Sequence, residues 1–291
     1  MNIFIYAYSY DENSGGSIAL HRLCHLINEV TNYRAYLVPH RKFGLRQDIK
    51  KIFKNTKIDV HPDWNTPVWQ KIFFPKKSVV IYPEIVDDNP LKMKHVVRWL
   101  LHQPGFHTGR IHYGEDELYF KFNSAIKDFS YENSQTSLNE LKVIFYPVDI
   151  YKNFELERTI ESCYMIRKGV SKPIIHDENS ICLDGKSHSE IAKIFNQART
   201  FICYDDYTAY SIFAVLTGCV SVVVPDHGVS IDEWYSNETD RYGIAYGVSQ
   251  VQLDWANQTK GKVFEHIEHE HFKSETCVQT CMNEIHTFFK L

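Results

Sequence analysis

Residues 201 to 226 read FICYDDYTAYSIFAVLTGCVSVVVPD, and this stretch decides the fold. Phe201, Ile202, Cys203 and Tyr204 form a short apolar run of the buried-strand kind. Asp205, Asp206, Tyr207 and Thr208 break it with acidic and hydroxyl groups. From Ala209 to Leu216 the apolar residues have helical spacing, and Thr217 and Gly218 end the helix. Val220 to Val224 is a β-branched strand that stops at Pro225. Strand, helix and strand in this order make a βαβ unit. In open α/β sheets ligands bind where strand carboxyl ends meet helix N-termini. The stretch therefore places a ligand site at residues 205–211.

Working back towards the N-terminus, a strand is expected from Ser162 to Ile166, directly followed by Arg167, Lys168 and Gly169. Those two cations fall on the carboxyl edge that Asp205 and Thr208 also occupy. Cations facing a helix N-terminus and a Thr hydroxyl suit a diphosphate. An exposed turn is the plainer reading of the pair. Ser180 to Leu183 is a further strand, stopped by Asp184 and Gly185, and a helix runs from Ser189 to Arg199 with Ser187 or Ser189 as its cap. Asp205 and Asp206 are adjacent, so their carboxylates point apart. With no DxD in the chain, they fit hydroxyl binding better than a metal ion.

The N-terminal half repeats the alternation. Ile3 to Tyr8 is a strand, Asp11 to Ser17 a loop with Gly15 and Gly16, and Ile18 to Val30 a helix. A glycine pair at a strand-to-helix turn fits a ligand loop and equally a simple tight turn. Ala35 to Val38, Ser78 to Tyr82, Leu118 to Phe122 and Val143 to Tyr146 are further strands, and Leu91 to Lys94 is a short helix. Such alternation predicts a parallel sheet with helices on both faces. The residues from Tyr146 to Phe154 read as an interdomain linker, and Lys273 to Leu291 as a closing amphipathic helix.

With 291 residues, and domains usually ~100–200 residues long, two domains are expected. Hydrophobic content of 44% with 23% charged residues describes a globular chain. A net charge of −4 argues against a dedicated nucleic-acid binder. The basic excess gathers from Arg41 to Lys57, RKFGLRQDIKKIFKNTK. This segment reads as a solvated helix face or, functionally, as a dock for an acidic glycan or an anionic membrane surface. Seven cysteines without a CxxC pair or zinc spacing read as reduced core thiols, which points to a cytoplasmic protein. The run from Glu265 to His271, EHIEHEH, is not HExxH and reads as a charged helix rather than a metal cluster. For a general base, Glu84 directly after the strongest N-terminal strand ranks first. Asp11 and Glu12 follow, and His40, His102 and His107 are the remaining strand-end candidates. Nucleophile-elbow and Walker sequences are absent.

Five segments together resemble the GT-B glycosyltransferases, which have two Rossmann-like domains. More narrowly, they resemble the short transferases that build bacterial and large-virus surface glycans. They are Ser14-Gly15-Gly16 before a helix, IYPEIVDDNPL (81–91), VVRWLLHQPG (96–105), YMIRKG (164–169) and residues 203–226. The resemblance implies an acceptor-binding domain at 1–150, a nucleotide-sugar domain at 151–272 and a helix, 273–291, returning to the first domain across a deep cleft. It implies that Arg167 and Lys168 contact the donor diphosphate. Tyr204, Tyr207, Thr208, Ala209 and Ser211 would line it, Asp205 or Asp206 would contact sugar or ribose, and Asp184 and Gly185 would lie near the base. Gly15, Gly16, His102 and His107 would line the acceptor side. Partners would be a nucleotide sugar, UDP-linked by preference, and a glycan acceptor, with no nucleic acid, no cofactor and no metal.

The chain departs from the family where retaining members carry two glutamates seven residues apart. Here the second position falls near Phe213 and Ala214, and Ser221 replaces the usual proline. That points to inversion by a hexosyl- or pentosyltransferase with Glu84 or Asp11 as base. A sugar-nucleotide epimerase of similar build and a non-catalytic glycan-binding module are the alternatives.

Overall fold

The computed structural model describes residues 1–40, 58–71, 73–124 and 126–291. The basic segment from Arg41 to Lys57 lies outside the described residues. The chain divides into two compact units. One comprises Met1–Phe145 with Glu270–Leu291, the other Tyr146–His269. Each is an α/β unit built on its own parallel sheet.

In the first unit the strands are β1 (Asn2–Ala7), β2 (Arg34–Pro39), β3 (Ser78–Pro83), β4 (Val96–Leu100), β5 (Leu118–Lys121) and β6 (Gln135–Thr136), in the order β2-β1-β3-β4-β5-β6. All of these neighbours are parallel. Near-continuous apolar strands are expected where both sheet faces are covered. One face buries Ile3, Ile5, Val79, Ile81, Val97 and Trp99 against helix α1 (Gly15–Val30) and against Val278, Met282 and Ile285. The other buries Phe4, Tyr6, Val80 and Tyr82 under Val86, Met93 and the rings of Trp69 and Phe74.

The second unit has β7 (Ile160–Met165), β8 (Ile181–Cys182), β9 (Ala198–Cys203), β10 (Val220–Val223) and β11 (Ile244–Tyr246), ordered β11-β10-β9-β7-β8 and again all parallel. Helix α2 (His188–Gln197) starts in a capping box made by Ser187 and Glu190. Helix α3 (Tyr210–Leu216) follows β9. Together they bury Ile191, Phe195, Phe213 and Ala214 against Cys163, Met165, Phe201 and Cys203. Helices α4 (Ile231–Trp234), α5 (Gln250–Thr259) and α6 (Val263–Phe289) complete the chain.

Two expected elements are absent. Residues 143–146 are not a strand. The N–H groups of Lys142 and Ile144 go instead to Cys277 Sγ and Ser274 Oγ at 3.2 and 3.1 Å, so α6 side chains replace a ladder partner. Residues 91–94 form turns rather than a helix, because Asn89 captures the backbone of Met93 through both of its amide atoms. The final helix begins earlier than expected, at Val263, and takes in the EHIEHEH run.

Candidate functional site

Both sheets have the same relative strand order. In each, the first strand lies between the second and the third, so the chain reverses direction between the first and third strands. In open α/β sheets this reversal is where ligands bind, at the strand carboxyl ends. The pairs are β1/β3 in the first unit and β7/β9 in the second.

At the second unit's reversal, Arg167 leaves β7 with a left-handed backbone, φ +43°. The Asp184 carboxylate fixes that turn by accepting from the N–H of Ile166 at 2.8 Å and of Arg167 at 3.2 Å. Gly169 has no room for a side chain, since a Cβ there would overlap the Tyr204 carbonyl oxygen. This arrangement brings Arg167 Nε to 3.6 Å from Asp205 Oδ2 and its guanidinium to 5.6 Å from the Tyr210 ring centroid. Arg167 and Lys168 are exposed. The structure thus groups Arg167, Lys168, Asp205 and Tyr210 at one edge.

Other expected donor residues are placed differently. The Tyr204 hydroxyl is turned inwards, where it accepts from the N–H of Ile175 at 2.8 Å and pairs with His176 Nδ1 at 2.7 Å. Ser211 is buried on the apolar face of α3. Asp184 is occupied as described, and Gly185 is a left-handed turn residue with open space on its Cβ side. Helix α3 is capped by Ala209 without a side-chain bond, while Thr208 Oγ1 accepts weakly from Tyr210 N at 3.5 Å. Tyr207 stays 65% exposed, edge-on to Tyr235.

Asp206 has a partner the sequence did not reveal. Lys172 Nζ, only 5% exposed, donates to Asp206 Oδ2 at 2.6 Å and to Val224 O at 2.7 Å, and lies 3.2 Å from Asp226 Oδ1. Burial raises the Asp206 carboxyl above the ordinary range and outweighs the opposing Lys172 ammonium. The neighbouring Asp226 charge raises it further. No spacing rule links positions 172, 206 and 226. They meet only because the loop after β7 folds back over the ends of β9 and β10.

At the first unit's reversal, Glu84 follows β3 and is 6% exposed. Its Oε2 accepts from the Leu101 N–H at 3.1 Å, and the His102 N–H adds a second backbone bond. Desolvation outweighs these bonds and pushes the carboxyl up to about 7. Tyr8, from the end of β1, is close enough for the Glu84 charge to contribute to its raised pKa, after burial and Tyr6, and its ring stacks on His40 at 4.1 Å. Gly15 and Gly16 are the first two residues of α1, with Ser14 as the cap accepting from Ser17 N at 3.3 Å. A Cβ on Gly16 would sit 3.8 Å from Leu101 Cδ1, so α1 starts against the loop that holds Glu84. His21 Nε2 ties α1 to the Tyr8 carbonyl at 2.8 Å. His102 and His107 are exposed and cluster with Phe106, the His102–Phe106 centroids being 4.1 Å apart. Asp11 is exposed, and its carboxylate caps its own turn by accepting from Asn13 N at 2.9 Å. The structure therefore gathers Glu84, Tyr8, Gly16 and His102 and leaves Asp11 in a local turn.

Among the described residues no group of three or more His, Cys, Asp or Glu is placed to hold a metal ion. Glu270, in the EHIEHEH run, is buried and bonded to Lys273 and Lys142 at 2.8 and 3.4 Å.

No protein-family model matches the chain, and neither does any curated protein. Solved structures similar to it include two glucosyltransferases. One is T4 phage BGT in complex with its UDP-glucose substrate, at 11% identity and TM-score 0.46, covering 100% of both chains. The other is the DNA-modifying enzyme β-glucosyltransferase, with and without uridine diphosphoglucose. It has 9% identity and TM-score 0.41, covering 99% of this chain and 97% of that one. Both scores are low, and the architecture above rests on this chain's own two sheets.

Proposed function

We propose that the chain is a glycosyltransferase of the GT-B kind that moves a sugar from a nucleoside-diphosphate donor, preferably a UDP-sugar, to a hydroxyl of a glycan acceptor. The reading is inverting and metal-independent. The observation that carries it is Glu84, a buried carboxyl at the first unit's strand reversal whose pKa of about 7 suits a general base. Arg167 and Lys168 at the equivalent reversal of the second unit supply the complementary charge for a diphosphate.

In this mechanism Glu84 takes the proton of the acceptor hydroxyl as its oxygen forms a bond to the anomeric carbon. The bond from that carbon to the diphosphate oxygen breaks, and the electron pair leaves with the nucleoside diphosphate. Arg167 and Lys168 stabilise the charge that develops on the leaving group. Tyr8, His102 and His107 offer ring faces for the acceptor. All seven cysteines are free, which fits a reducing, cytoplasmic setting, and among the described residues no helix is long and apolar enough to cross a membrane.

The test is incubation with UDP-, GDP- and dTDP-sugars, each alone, with candidate glycans, and with duplex DNA. Glycan-dependent release of free nucleoside diphosphate is expected. Isomerised donor without acceptor would establish an epimerase, transfer to DNA alone would overturn the glycan acceptor, and a folded protein that binds no nucleotide would overturn the enzyme reading altogether.

A further inference from the structure

Beside Glu84 lies a buried charge that the proposed reaction does not use. Arg98, on β4, is fully buried. Its Nε and Nη2 fork onto the Glu117 carboxylate at 2.9 and 2.7 Å. The other donations go to backbone, with Nη1 on Val86 O at 2.5 Å and Nη2 on Asp88 O at 3.0 Å. Both carbonyls belong to the turn that leaves Glu84. A third carbonyl of that turn, Glu84's own, accepts from the Tyr113 hydroxyl at 2.5 Å, and the Tyr113 ring centroid lies 4.1 Å from Arg98 Cζ. The carbonyls of residues 84, 86 and 88 are thus fixed by one packed assembly. Glu117 is itself held by the Gly114 N–H at 3.0 Å.

Stability alone is a weak reason for such an assembly. Desolvating an ion pair costs about what the pair returns, and well-packed apolar residues often serve as well. What the assembly does supply is a fixed backbone path, including a left-handed Asp88 at φ +53° that a non-glycine residue rarely adopts unaided. That path decides where the Glu84 side chain begins. From the opposite side, the Leu101 N–H decides where it ends.

We propose that Arg98 and Tyr113 are positioning residues that hold the turn carrying Glu84, so that its carboxyl stays sheltered beneath the Leu101 N–H. This rests on reading Glu84 as the base. Tyr113→Phe removes one hydroxyl and keeps the ring against Arg98. The double variant Arg98→Met with Glu117→Gln removes the ion pair without leaving a lone buried charge. If the turn loosens, water reaches the carboxyl and its pKa falls towards the ordinary carboxylate range.

The experiment is a carboxyl-carbon NMR titration of the full chain, with the Glu84 signal assigned by its loss in Glu84→Gln. It is paired with the pH profile of sugar transfer and with Tm. In Tyr113→Phe the Glu84 titration should move down by about half a pH unit or more. The acid limb of kcat/KM should move with it, and the rate should fall about 10-fold. Variants that lower Tm and leave the titration and the limb in place would show a merely structural assembly and overturn the inference, as would a wild-type Glu84 that titrates in the ordinary range. A Glu84 that titrates near 7 and shifts in Tyr113→Phe, in a protein whose Glu84→Gln form transfers sugar at full rate, would remove the base reading and leave the positioning intact.

Discussion

Glu84 and Asp205 occupy equivalent places, since each is the acid that closes the third strand at the reversal point of its sheet. Both residues are buried, at 6% exposure each. Their surroundings differ in one respect. Asp205 has Arg167 within 3.6 Å, so its charge is compensated. Glu84 has backbone N–H groups and, among the described residues, no cation bonded to its carboxylate, and its pKa rises to about 7. The two positions therefore differ in what meets the acid, the Arg167 guanidinium for Asp205 and the N–H groups of Leu101 and His102 for Glu84. An acid beside a cation is suited to accepting hydrogen bonds from hydroxyl groups. One sheltered from water and from cations is suited to moving a proton.

Several changes would break or sharpen this contrast. The largest effect is expected from Lys172→Met, which strands Asp206 against Asp226 and should cost about 3 kcal/mol in chemical unfolding. Glu84→Gln should flatten the pH dependence of stability. The folded carboxyl keeps its proton up to about 7, whereas the unfolded one loses it near 4.5. Unfolding free energy should therefore fall as pH rises through that window. Glu84→Gln should escape the loss and gain up to about 3 kcal/mol relative to wild type at pH 8 compared with pH 4. Arg167→Ala should weaken nucleotide-sugar binding about 10-fold or more by calorimetry and leave Tm nearly unchanged, because a charge-assisted bond of about 1.5–3 kcal/mol is lost at an exposed side chain. Thr208→Ala should be the mildest, with donor affinity within about 2-fold, since its hydroxyl makes only a long local bond.

Much of this was legible in the sequence where local signals agree. The βαβ stretch read from residues 201–226 appears as β9, α3 and β10, with α3 beginning at Tyr210 instead of Ala209. Glu84 could be singled out because Pro83 ends an unbroken apolar strand. Lys172 could not, because its partners are brought to it by a loop whose path no local pattern encodes. Strand β6, a two-residue polar segment, and β11, three residues long, carry too little periodicity to read. Residues 143–146 carried a false strand signal, since a buried extended segment has a strand's composition whether its N–H groups meet a ladder or helix side chains. Ser211 was readable in principle, because it shares a helix face with apolar Ala214 and Val215.

The central claim is that Glu84 is the base of a sugar transfer, and Glu84→Gln kinetics test it most directly. With turnover and donor affinity measured on the same preparation, kcat should fall at least about 100-fold while the dissociation constant of the donor changes less than about 2-fold. Near-wild-type turnover in a folded Glu84→Gln protein would contradict the account.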